Sequence, residues 1–203
     1  TATATDKVQL DVIQQLRLRD TQTFKTSFNR SNLSYEVRPK KKDNYGDIAR
    51  FIQEEYPQES GIVYCLSRRE CETMADKLRG AGIRAGFYHA DLSYEEREET
   101  QRNWSQDRLH VICATIAFGM GINKADVRFV VHSSMPKNLE NYYQESGRAG
   151  RDGVHAKCVL YYSYKDKIRL ENMIRKGAFE NGASRSAAYR QLQNNLCVLS
   201  SLS

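Results

Sequence analysis

Gly61 to Leu66, reading GIVYCL, is a continuous apolar run of strand length, the pattern of a strand buried on both faces of its sheet. Ser67 follows at once and opens a capping box with Glu70. Cys71, Met74, Ala75 and Leu78 then make one helical face, which Gly80 and Gly82 close. This succession of strand, tight turn and helix recurs down the chain. Arg84 to His89 reads as a short strand, Ser93 with Glu96 caps a helix to about Trp104, and Leu109 to Ala114 is another apolar strand. Phe129 to His132 and Ala156 to Tyr162 are further strands, with a helix from Asn138 to about Gly147 between them. The alternation predicts an α/β fold built on a mostly parallel sheet covered by helices. In such a sheet ligands gather beyond the carboxyl ends of the strands.

The flanks are less regular. Asp6 to Leu18 reads as a helix with an apolar stripe of Val8, Val12, Ile13 and Leu16, and Thr23 to Phe28 and Ser34 to Arg38 read as strands. Lys40, Lys41 and Lys42 follow Pro39 as a solvated linker, and Tyr45 to Tyr56 is a helix ended by Pro57. Lys165 to Lys176 is a last helix, followed by Gly177 to Ser203, polar and small, which reads as a weakly ordered tail or as an unfinished piece of another unit. With 203 residues and 40% apolar, the chain suits one core plus a tail. It begins at Thr1, as a piece of a longer chain does, and its apolar runs are too short to span a bilayer. Five scattered cysteines without a C-x-x-C pair fit buried free thiols in a reducing compartment, and a net charge of +6 permits a nucleic acid partner without demanding one.

Four stretches fall at strand ends. Ser67, Arg68 and Arg69 open a helix, whose free N–H groups favour a nucleic acid phosphate, although Ser67 also serves simply as a cap. His89 follows the next strand, placed to donate to a phosphate, to pair with Asp91, or to have no task. In Ala114 to Lys124, ATIAFGMGINK, Thr115 offers a hydroxyl and an N–H, and Gly119 and Gly121 permit a path that touches a nucleotide or only a turn. No G-x-x-x-x-G-K-[ST] loop occurs. The fourth stretch is Tyr142 to Gly153, YYQESGRAGRDG. Arg148 and Arg151 stand three apart, which on a helical turn puts both on one face, beside Gly147, Gly150 and Gly153 and the acceptors Gln144, Glu145 and Asp152. Two readings fit: a phosphate clamp, or a polar helix end stopping in a glycine cap with the arginines solvated.

In order and spacing, SGIVYCLSRRECETMADKL, FYHADLS, VICATIAFGMGINKADVRFVVHSSMPK and YYQESGRAGRDG resemble the consecutive motifs of the second RecA-like helicase domain of the RecQ DNA helicases, most of all the Bloom-type branch. TATAT at the start resembles the motif that ends the first helicase domain. The resemblance implies residues 1–22 as the end of that first domain and a linker helix, 23–164 as the RecA-like domain, and 165–203 as a helix and irregular tail standing where the family carries a zinc region. Cys197 has no nearby cysteine, so no zinc is expected.

The implied activity is ATP-dependent 3′-to-5′ unwinding of duplex DNA in recombination and repair, in the nucleus, or in the cytoplasm of a bacterial relative. Arg148 and Arg151, with Gln144 supporting, would reach the γ-phosphate of ATP held with Mg2+ mainly by the first domain. Gly119, Gly121 and Asn123 would sit by the nucleotide, and Ser67, Arg68, His89 and Thr115 near a single strand of DNA. Without a Walker lysine or an Asp-Glu pair, this chain alone is expected to hydrolyse ATP poorly. The alternative is a non-catalytic fragment that binds DNA or a regulatory partner.

Overall fold

The computed structural model describes residues 6–24, 29–119, 122–169 and 172. The chain divides into two units, residues 1–31 and 32–203, where the sequence places a boundary at 22/23. The first unit holds α1 (Asp6–Gln15), shorter than the sequence predicts, and Val8, Val12 and Leu16 of its stripe are exposed. The strand predicted for Thr23 to Phe28 is not formed at Thr23 and Phe24, and its remainder lies outside the described residues.

The second unit contains β1 (Leu33–Pro39), α2 (Asn44–Glu55), β2 (Gly61–Tyr64), α3 (Arg68–Gly80), β3 (Ala85–Tyr88), α4 (Tyr94–Ser105), β4 (Val111–Ala114), β5 (Phe129–His132), α5 (Leu139–Ser146) and β6 (Ala156–Tyr162). The strands form one six-stranded sheet in the order β1-β6-β5-β2-β4-β3, and every pairing is parallel. β2, β4 and β5 are buried at every position, which is why they read as unbroken apolar runs rather than alternating ones. β1 is an edge strand and ends on Pro39, whose missing N–H falls on the open side, since the next residue, Lys40, donates its N–H to Tyr162 O of β6 at 2.8 Å.

Alternate side chains of these strands feed two cores. Val63, Cys113, Val131 and Val159 face Ile48, Phe51 and Ile52 of α2 and Cys71, Met74 and Leu78 of α3. Ile62, Tyr64, Ile112 and Val130 face Trp104 of α4, Phe118 and Ile122 of the segment after β4, and Ala149 beyond α5. Gly61 is required where β2 meets β5, because a Cβ there would lie 2.1 Å from the Phe129 ring. None of the four described cysteines, Cys65, Cys71, Cys113 and Cys158, is in a disulfide, and all are buried. Cys197 lies outside the described residues.

Local sequence signals set the helix starts. Ser67 accepts from Glu70 N at 3.3 Å, and Ser93 and Glu96 form a complete reciprocal box at 2.8 and 3.1 Å. Glu70 departs from the box pattern by accepting instead from Leu66 N and from the hydroxyls of Ser133 and Ser134, so it ties the end of β5 to α3. The lysine run is not uniformly solvated. Lys40 donates to Ser134 Oγ at 2.6 Å and Asp166 Oδ1 at 3.2 Å, because the end of β1 lies beside the ends of β6 and β5. Residues 164–169 are helical, and most of the predicted helix beyond them, with the tail, lies outside the described residues.

Candidate nucleic-acid cleft and arginine turn

A cleft of about 500 Å3 opens beyond the carboxyl ends of β2, β4 and β5. β2 lies between β4 and β5, so the chain leaving β4 crosses back over β2 to reach β5, and the crossing leaves a crevice at the strand ends. Ser67, Arg68 and Thr115 line it, together with Lys137, His132 and Glu145. Three of the four residues predicted to lie near a DNA strand are thus brought to one cavity. The first turn of α3 presents its N–H groups there, with the Ser67 side chain already engaged as the cap. Arg68 is exposed and pairs with Asp91.

His89 is the exception. Its side chain is 4% exposed, its Nε2 donates to Glu72 Oε1 at 3.1 Å, and its ring stacks on Phe87 at 5.5 Å. Pairing with Asp91 is one of the three readings the sequence leaves open. In the structure the longer Glu72, on α3, reaches it, and Asp91 is taken by Arg68.

The turn carrying the two arginines is not helical. α5 ends at Ser146 with Gly147 as its cap, and Gly150 adopts φ +54°. A Cβ at Gly150 would lie 2.6 Å from Asn32 Nδ2 and 2.7 Å from Val154 O, so glycine is required there twice over. The reversal sends the guanidiniums to different places rather than onto one helical face. Arg148 turns inward, with Nη2 3.1 Å from where a Cβ on Gly119 would stand. Its Nε is buried without a hydrogen-bond partner among the described residues. Arg151 is exposed, and its Nη1 donates to Ile122 O at 2.8 Å.

Both arginines therefore meet the single segment that follows β4. Thr115 at one end of that segment lines the cleft, and Gly119 and Ile122 further along meet the arginines. Phe118 anchors it, 1% exposed and packed on Tyr88 at 4.7 Å and Trp104 at 5.6 Å. Asn123 is exposed in the same segment, Gln144 is exposed on α5, and Gly121 lies outside the described residues. The other acceptors of the motif are already used. Glu145 Oε2 accepts from His132 Nε2 at 2.8 Å, and Asp152 Oδ2 accepts from Arg128 Nη2 at 2.5 Å, which holds the Asp152 carboxyl below its ordinary value.

Sequence reasoning passed over Tyr64, His132 and Lys124. The hydroxyl of Tyr64 donates to Phe118 O at 3.1 Å, and burial pushes its phenol well above the ordinary value while the nearby Arg148 acts the other way. Lys124 is 8% exposed, with its ammonium 2.8 Å from Asp107 and 3.2 Å from Asp126. Tyr64 within GIVYCL and His132 at the end of FVVH, polar groups in otherwise apolar strands, were the available signals, while nothing in the local sequence marks Lys124 as buried. Among the described residues no cluster of His, Cys, Asp or Glu is arranged to hold a metal ion, and no helix is long and apolar enough to cross a membrane.

Residues 43–153 match the family model of the helicase conserved C-terminal domain. The chain is 52% identical over 182 residues to the ATP-dependent DNA helicase Q-like 4B of Arabidopsis thaliana, covering 90% of this chain and 16% of that protein. It is 49% identical over 194 residues to the RecQ-like DNA helicase BLM of Xenopus laevis, covering 95% of this chain and 14% of that one. The chain thus spans well under a third of the length of these relatives. Among solved structures, a DEAD box protein from Methanococcus jannaschii superimposes with a TM-score of 0.61 at 25% identity, covering 85% of this chain and 47% of that one. Yeast Dbp5 bound to RNA and ADP BeF3 gives 0.65 at 19% identity, over 87% of this chain and 47% of that one, which supports the RecA-like fold. The chain belongs to the RecQ family of DNA helicases and carries their C-terminal helicase domain.

Proposed function

We propose that this chain is the second motor domain of an ATP-dependent DNA helicase that moves 3′ to 5′ on one strand. The supporting observation is the segment after β4, which borders the cleft at Thr115 and meets Arg148 and Arg151 at Gly119 and Ile122. A strand of DNA in the cleft would have its phosphates by Ser67, Arg68 and Thr115. His89 contributes indirectly, by holding Glu72 at the base of α3.

The residues present fit the phosphates of a nucleotide and not its magnesium. Arg148 offers a buried N–H without an acceptor, while Glu145 and Asp152, the nearest carboxylates of the motif, are committed to His132 and Arg128. Arg148 and Arg151 would therefore act on the γ-phosphate of ATP held, with its Mg2+, by the first RecA-like domain of the same protein. Arg151, exposed at the end of the turn, is the better placed to cross to a partner domain, with Gln144 and Asn123 beside the nucleotide. Neutralising charge on the transferring phosphoryl group in this way contributes about a thousandfold or more in rate. Closure of the two domains on ATP and reopening after hydrolysis would move the strand stepwise. The site of action is the nucleus for a eukaryotic parent.

Substituting Arg151 by alanine in the two-domain helicase tests the assignment. DNA binding should survive and ATP turnover collapse; unchanged turnover would remove Arg151 from the site.

A further inference from the structure

We infer that Tyr64 is a positioning residue that links occupancy of the cleft to the placement of Arg148, an inference that rests on the motor reading above. Tyr64, His132 and Glu145 form one buried group behind the cleft surface, at 4%, 1% and 7% exposure, and all three line the cleft. The Tyr64 ring stacks on His132 with centroids 5.4 Å apart and planes 21° apart. His132 is fixed by Glu145 at 2.8 Å, and Tyr142 of α5 closes on its ring at 4.9 Å.

From this group two routes lead to the arginine. The Tyr64 hydroxyl holds Phe118 O at 3.1 Å, and the next residue is Gly119, against which the Arg148 guanidinium rests. Arg148 N donates to Glu145 O at 3.2 Å just past the end of α5, so a displacement felt at Glu145 carries Arg148 with it.

The group is also unsaturated. His132 Nδ1 and Arg148 Nε are both buried without a hydrogen-bond partner among the described residues. Buried polar groups are ordinarily paired, and two unpaired ones bracketing Tyr64 mark a place where a second arrangement has bonds to gain. Dense packing leaves little slack, so a strand pressing on the cleft surface at Tyr64 and His132 displaces what they hold. The alternative, a purely structural buried pair, would affect stability alone.

The test uses Tyr64→Phe, which keeps the ring and removes the hydroxyl, and Glu145→Gln, which keeps the shape and removes the charge. Each is made in the two-domain helicase, and kcat for ATP with and without saturating single-stranded DNA, the half-saturating DNA concentration and the melting temperature are measured. We expect kcat with saturating DNA, and with it the stimulation by DNA, to fall about tenfold or more. The half-saturating DNA concentration should stay within about twofold, because the lost contact acts on turnover and not on binding. Unchanged stimulation in Tyr64→Phe would overturn the link, whatever Glu145→Gln does, as would a loss fully restored by more DNA. Arg151→Ala separates the two levels. If it is inactive while Tyr64→Phe is normal, only the link fails; if it turns over normally, the arginine reading beneath the link fails.

Discussion

Asn32 Nδ2 donates to Gly150 O at 2.8 Å and to Val154 O at 2.9 Å, joining the residue that precedes β1 to the turn between the two arginines across 118 positions of sequence. Asn32→Ala leaves both carbonyls without this donor and frees a turn already held at positive φ by Gly150. The expected loss is about 1–2 kcal/mol of unfolding free energy in urea. An unchanged midpoint would mean that the β6 ladder alone fixes the turn.

Gly61→Ala places a methyl group inside the Phe129 ring. Overpacking of this kind costs about 1–3 kcal/mol, measured as a fall in the denaturation midpoint. Phe129→Leu opens space at the same contact, so the double variant should be more stable than the sum of the two single losses predicts.

Lys124 is buried while its partners Asp107 and Asp126 remain 62% and 57% exposed. The asymmetry sets the order of two variants. Lys124→Met removes the buried charge, leaves two carboxylates that water can reach, and should be close to neutral. Replacing both aspartates by alanine strands the ammonium and should cost roughly 1–3 kcal/mol, less than for a fully buried pair because water screens the acidic side. The reverse order in denaturation would contradict the reading of Lys124 as a buried cation held by its anions.

Glu36 lies between Arg38 and Lys157, and the hydrogen bond from Arg38 brings its carboxyl down to about 2. A carboxyl depressed in the folded state stabilises fully above its unfolded value, and that contribution is lost as pH falls through the folded value. The stability difference between the native protein and Glu36→Gln should therefore be constant near neutrality. It should shrink between the ordinary carboxylate value and about 2, as read by denaturation across that window. A difference that grows on acidification would reverse the sign. Because Glu36 is more than a third exposed, the effect is small.

The sheet was legible because strands buried on both faces announce themselves as unbroken apolar runs, and because Ser67 and Ser93 with their glutamates mark helix starts. That β1 extends to Pro39 and that α1 stops at Gln15 were less so, since ends depend on neighbours that a local pattern does not contain. At the site, the arginine motif and the segment after β4 were each visible, but their meeting was not. It depends on α5 ending at Ser146 and on Gly150 reversing the chain between the arginines, which a three-residue spacing alone reads the other way. His89 shows the same limit: Asp91 is near in sequence, while Glu72 is near in space.

The most direct measurement of the central claim is DNA-stimulated ATP hydrolysis by this chain alone and mixed with a separately produced first helicase domain, with association of the two verified. The account predicts little activity from the chain alone, activity in the mixture, and loss of that activity when Arg148 and Arg151 are replaced by alanine. Hydrolysis by the chain alone, or silence from a mixture that associates, would contradict it, and the second result would favour a domain that binds DNA without turnover.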